Sequence, residues 1–214
     1  MFIGHYGAAF VAKRIEPRLP LWSLLLAAQL VDIFWVIFVL SGLEKASLDP
    51  SLPSNPLVLS SMPYTHSLGA TFIWGFFALL IGMASMRGGM RRLAFGLVLA
   101  ATVMSHWFLD LIVHRPDLAL WGEDAKMGFA LWNWPLAAFA LEVALVVGSI
   151  AWMIRSRTLH VGQLRKRILI LGGLLVVLQI ASQLGATPGT VPAVVLSALF
   201  AYLLVAVMGW WVEH

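Results

Sequence analysis

Long apolar runs separated by short polar stretches set the architecture of this chain. The runs cover Leu19 to Leu43, Thr65 to Met86, Leu93 to Val113, Leu131 to Ile154, Ile168 to Leu184 and Val191 to Val212. Each approaches the roughly 20 apolar residues that carry a helix across a bilayer core. Backbone facing lipid must satisfy its own hydrogen bonds, so every run is expected to be helical. The pattern predicts an all-α polytopic transmembrane helix bundle of about six spans, forming one integral membrane domain over residues 1–214. Residues 1–18 stand apart: Met1 to Ile15 is apolar but too short to cross, and Pro17 and Pro20 separate it from the first run. It reads as a short helix, either lying on the interface or tilted into the bundle as a half-helix.

Composition supports lipid as the solvent. Hydrophobic residues make up 61% of the 214 positions and charged residues 11%, with ten Trp and twelve Phe. A soluble domain of this size has too little interior for that much apolar surface. The absence of Cys excludes disulfides and thiolate metal sites. His5 and Tyr6 interrupt the start and basic residues follow it, so no cleavable signal is expected.

The pI of about 9.9 suggests nucleic acid until the basic residues are located. Lys13, Arg14, Arg18, Arg87, Arg91, Arg92, Arg155, Arg157, Arg165, Lys166 and Arg167 all fall in connections on one side of the predicted spans. Lys45, Arg115 and Lys126 fall on the other, beside Glu44, Asp49, Asp117, Glu123 and Asp124. This asymmetry reports orientation. It predicts both termini in the cytoplasm of a bacterial inner membrane, the Glu44 to Tyr64 loop outside, lipids as partners and no nucleic acid.

Ionisable residues within the runs carry the candidate chemistry. His106, Asp110 and His114 recur every four residues and share one helix face. Arg115 and Pro116 end that helix, leaving Asp110 and His106 roughly 6 and 12 Å deep at the helical rise. Asp32 lies in an otherwise apolar stretch, Glu142 at the centre of the fourth run and His66 at the start of the second. His5 approaches the depth of Asp32 if its helix enters the bundle. Charged groups at such depth need partners, yet no Lys or Arg lies in the runs. That absence favours a bound cation, or protons, over salt bridges. Trp107, Trp132 and Trp134 read as interface anchors, and His160 and His214 lie away from the cluster. Gly-rich phosphate loops, GxSxG and HExxH are absent, as is any internal repeat. The pairs Gly69 with Ile73 and Gly82 with Met86 do not make a GxxxG interface.

The order Gly4-His5, Asp32 in an apolar helix, Thr65-His66-Ser67 and His106-x-x-x-Asp110 resembles the YdjM/YbcI-type membrane-bound metal-dependent hydrolases. More distantly it is similar to the zinc-dependent phospholipase C fold, where a series of His and Asp residues holds zinc ions. The similarity spans roughly residues 1–145. Val31-Asp32 stands where that family carries Pro-Asp-x-Asp, and Glu142 lacks the His that accompanies its counterpart. The resemblance implies one or more divalent metal ions, Zn²⁺ first among them, held by His5, Asp32, His66, His106, Asp110 and His114. Asp32 or Glu142 would serve as general base in hydrolysing an ester or phosphoester of a lipid-like substrate. Two rival readings use the same residues: a proton- or ion-coupled transporter or channel, and a non-catalytic membrane subunit with a structural metal.

Overall fold

The computed structural model describes residues 1–85, 89–155, 162–186 and 188–214. Met86, Arg87, Arg157, His160 and Thr187, which figure in the sequence reading, lie outside the described residues. The architecture is an all-α helical bundle. In chain order its helices are α1 His5–Ile15, α2 Leu21–Ala28, α3 Leu30–Leu40, α4 Leu68–Ala84, α5 Gly89–Val113, α6 Pro135–Ile154, α7 Gly162–Leu184 and α8 Val191–Glu213. Strands β1 Lys45–Leu48 and β2 Leu57–Ser61 interrupt the series between α3 and α4, and a single 3₁₀ turn, Leu131–Asn133, precedes α6.

Among the described residues four helices, α5 to α8, are long and apolar enough to cross a membrane, or up to five spans if α2 and α3 count as one. This agrees with an integral membrane protein and corrects the expectation of six spans. The first predicted span is broken: α2 and α3 meet at 52°. Gln29 sits at the break, and its amide Nε2 donates to Phe2 O at 2.9 Å instead of facing lipid. A polar side chain with a fixed tertiary partner thus turns one apolar run into two short helices. The second predicted span loses its first turn because Ser67 caps α4, accepting from Ala70 N at 3.0 Å. That leaves a 17-residue helix.

The loop from Glu44 to Tyr64 holds an antiparallel hairpin in which Leu48 pairs with Leu57 and Lys45 with Ser61. Internal helical bonding is obligatory only where backbone meets lipid, so strands form where the chain leaves the apolar runs. Arg115 ties the hairpin's tip to the bundle, donating to Pro53 O, Asn55 O and Asn133 Oδ1.

Two contacts organise the bundle. Helices α4 and α5 approach closely at Gly82 and Gly96; a Cβ on Gly82 would lie 2.7 Å from Gly96 Cα. The glycine contact is therefore between helices and not along one helix. Helix α1 does enter the bundle, burying His5, Tyr6, Gly7, Ala9, Phe10, Ala12 and Lys13. Its Lys13 ends within reach of Pro17 O, Leu19 O and the Glu213 carboxylate of α8.

The basic residues gather where helices end. Arg14 donates to Trp152 O of α6, Arg92 to Met83 O of α4 and Arg167 to Trp211 O of α8. Cations on last-turn carbonyls answer both the unpaired acceptors and the negative end of the helix dipole. Trp134 is exposed, whereas Trp107 and Trp132 are buried and pack inside the bundle, not at its interface.

Candidate metal centre

Four elements deliver the cluster. The first turn of α1 brings His5, α3 brings Asp32, the segment before α4 brings His66, the last turns of α5 bring His106 and Asp110, and His114 follows directly on the end of α5. All six are buried. Asp110 is the hub: its Oδ1 lies 3.1 Å from His5 Nε2 and 3.4 Å from His114 Nε2, and its Oδ2 lies 3.1 Å from His106 Nε2 and 3.8 Å from His66 Nε2. Asp32 Oδ1 is 3.2 Å from His66 Nε2 and 3.6 Å from His106 Nε2. The imidazoles of His5 and His106 stack at 3.7 Å.

The outer nitrogens of three imidazoles are held by acceptors. His106 Nδ1 lies 2.9 Å from Ala28 O, at the α2–α3 break. His114 Nδ1 lies 2.8 Å from Asp117 Oδ1. His66 Nδ1 lies 2.8 Å from Thr65 Oγ1, whose hydroxyl donates to Glu44 Oε2 at 2.7 Å. A carbonyl or carboxylate can only accept, and a hydroxyl already donating to Glu44 accepts from His66, so Nδ1 carries the proton in each ring. Each Nε2 therefore turns its lone pair towards the carboxylates.

A site built this way is short of positive charge. The Met1 ammonium on Asp110 Oδ1 supplies one positive charge against two carboxylates. Elsewhere nitrogen and carboxylate lone pairs face one another with no hydrogen between them, which is stable only with added protons or a bound cation. The remaining atoms agree: among the described residues His106 Nε2, Asp110 Oδ2 and both ring nitrogens of His5 have no hydrogen-bond partner. Two triads, His5–Asp32–His106 and His66–His106–Asp110, each place their ligand atoms within 4.8 Å of one another. Imidazole and carboxylate donors with the second imidazole nitrogen bonded outward form the donor set of divalent metals such as zinc. The residues thus fit a metal.

Glu142 is placed differently. Its Oε2 accepts from the backbone N–H of Phe2 at 2.7 Å and Gly4 at 3.1 Å, so it anchors the segment leading into α1 and joins neither triad. In the same segment the Met1 ammonium donates to Asp110 Oδ1 at 2.5 Å.

Four supporting groups escaped the sequence reading. Tyr202 of α8 donates to Asp32 Oδ2 at 3.1 Å, although the last two spans had offered nothing specific. Ala28 contributes a carbonyl that no residue identity announces. Asp117 lies three residues beyond His114, a spacing that was visible. Glu44 clasps the hairpin base, accepting from Tyr64 N, Thr65 N and Thr65 Oγ1. Burial pushes its carboxyl above the usual carboxylate range, against the opposing pull of the Thr65 hydroxyl. Trp132 closes the hairpin side, its ring 4.2 Å from that of His114. Gly128 lets the following loop pass, since a Cβ there would lie 2.2 Å from Arg115 O.

Comparison of the chain with family models, with curated proteins and with solved structures returns no match. What fold and site define together is a class: a membrane-type helical bundle with a buried His/Asp cluster able to hold a metal ion.

Proposed function

We propose that this protein is a membrane-embedded metal-dependent hydrolase acting on a lipid or lipid-linked ester or phosphoester. One observation carries the reading: four imidazoles, at least three of them with Nδ1 bonded outward, converge by Nε2 on Asp32 and Asp110. A divalent metal, zinc by donor type, would be held by His5, Asp32, His66, His106, Asp110 and His114, and would supply an activated water and polarise the scissile group. The chain's own residues do the rest. Asp110 holds four imidazoles in register, and the Thr65–Glu44 relay fixes the orientation of His66. Tyr202 orients Asp32, leaving Oδ1 towards the cluster. Asp32 Oδ1 and Asp110 Oδ2 both lie between His66 and His106, but Asp110 also holds His5, His114 and the Met1 ammonium, so Asp32 is our candidate to accept the proton of water. Glu142 is assigned to holding the N-terminal segment. The similarity to YdjM/YbcI-type hydrolases points the same way. The arginines at helix ends favour a bacterial inner membrane with both termini cytoplasmic and the site towards the hairpin side.

Metal analysis of the purified protein, beside Asp110→Ala and His106→Ala, is the test. We expect bound metal in the parent protein and its loss in both variants; metal-free parent protein overturns the reading. Metal retained with cation flux in proteoliposomes would mark a transporter. Metal whose removal melts the protein, without turnover of any lipid ester, would mark a structural site.

A further inference from the structure

The cavities of the bundle differ in what lines them. One runs between α1, α5 and α6, walled by residues such as Ala8, Val98, Phe108 and Leu145, and another lies beside α4 under Trp121; both are almost wholly apolar. A third, of about 400 Å³, lies between α7 and α8 and reaches α3, α6 and the hairpin tip. Its volume falls within the range of small-molecule sites.

This third cavity has a polar wall that lipid tails do not need. Gln179, Ser182 and Gln183 of α7 face it together with Ser197 of α8 and with Ser54 and Asn55 of the hairpin. Gln179 is the telling residue. The buried residues of α7 are Ile168, Leu171, Leu175 and Gln179, one helical stripe in which an amide stands where another Leu would pack. Gln179 is only 5% exposed and its Oε1 has no hydrogen-bond partner among the described residues. A buried acceptor left unpaired is unfavourable unless something else fills its valence.

The cavity also adjoins the metal centre. Tyr202 lines it and donates to Asp32, and Trp132 lines it and packs on His114. Among the described residues no Lys, Arg or His lines it, and Met1, which does, has its ammonium already bound to Asp110 Oδ1 at 2.5 Å. Its one acidic side chain, Glu142, is turned onto the Phe2 and Gly4 N–H groups. Amides and hydroxyls beside indole rings, with the charged groups on the wall already engaged, suit a neutral hydroxyl-bearing group and not an anionic one.

We infer that this cavity receives the uncharged, hydroxyl-bearing headgroup of a lipid that enters between α7 and α8, with Gln179 accepting one of its hydroxyl protons. The inference rests on the proposed function only in taking the His/Asp cluster as the place where such a lipid would react. The test uses the full chain in phosphatidylcholine nanodiscs with two photoreactive single-chain lipids, a monoacylglycerol and a lysophosphatidate, each with a diazirine near the headgroup. Crosslinks are mapped by mass spectrometry, and metal content is measured on the same samples.

We expect the monoacylglycerol to label α7 and α8 around the cavity in preference to the lysophosphatidate. Gln179→Leu, which extends the Leu stripe, should lower that labelling roughly fivefold, the effect of one lost hydrogen bond, while retaining metal. Ala198→Trp, which fills the cavity, should abolish it. Equal labelling by both probes, preference for the anionic probe, or labelling unchanged in Gln179→Leu overturns the inference. So does competition by free glycerol, which would make the ligand a soluble polyol. Labelling that follows the expected pattern in protein devoid of metal would sink the metal reading and leave the cavity assignment standing.

Discussion

The two ends of this bundle are built on opposite terms. The basic end is an apolar core, with Tyr6, Phe10, Leu24, Leu25, Leu171 and Val205 packed against one another across α1, α2, α7 and α8. The hairpin end also has apolar packing, from Trp35, Trp107, Trp132 and Val113, but it encloses two carboxylates and four imidazoles with several bonding valences unmet. The first end is stabilised mainly by burial, with its charged groups paired at the rim. The second is stable only with positive charge at its centre, and that shortage is what makes it a candidate for chemistry.

Asp110→Ala breaks this contrast most directly. Asp110 faces His5, His66, His106 and His114, so its loss scatters the set and bound metal should fall to background. Leu24→Ala at the opposite end should do the reverse. Leu24 is fully buried in the basic-end core, and such truncations cost about 2–5 kcal/mol. Thermal unfolding should shift downward while metal per folded chain stays at the parental value. A Leu24→Ala protein that folds but loses metal would show that the two ends are one cooperative unit.

The two ends also differed in how far they could be read from sequence. Apolar runs of roughly 20 residues declared α5 to α8, because lipid imposes length and composition together. The α2–α3 bend was hidden, since it depends on Gln29 finding Phe2 O, a partner that only the packed fold supplies. The hairpin was hidden for a related reason: outside lipid nothing forces a helix. In the cluster, His106, Asp110 and His114 were visible as a helical period. His5, Asp32 and His66 were visible as polar residues among apolar ones, and the structure gathers them at the same point. Tyr202 and Glu44 were not visible, because one aromatic among many and one acid in an acidic loop carry no signal until the contact is seen. Glu142 had the same signature as Asp32, yet it binds backbone, so depth alone does not separate a ligand from an anchor.

Within the hairpin end the comparison can be made finer. Thr65→Val removes the hydroxyl that links His66 Nδ1 to Glu44 while keeping side-chain volume. Loss of such an outer partner lowers metal affinity roughly 10–100-fold, and chelator competition measures it. Thr65→Ser should restore the parental value. Equal affinities for the parent, Val and Ser proteins would mean that the hairpin clasp serves folding and does not set His66.

Tyr202→Phe gives the smallest effect and joins the two ends on one helix. Helix α8 touches the site through Tyr202, which donates to Asp32, and the basic end through Glu213, which binds Lys13 and Leu21 N. Removing the hydroxyl deletes one hydrogen bond to a carboxylate, worth about 1.5–3 kcal/mol at most and less where Asp32 can turn to another partner. We expect a loss of metal affinity of roughly tenfold or less with the unfolding temperature unchanged, because the Glu213 contacts still seat the helix. A fall in unfolding temperature without a change in affinity would instead make Tyr202 a packing residue. Asp32 would then be set by His66 and His106 alone, and α8 would belong wholly to the apolar end.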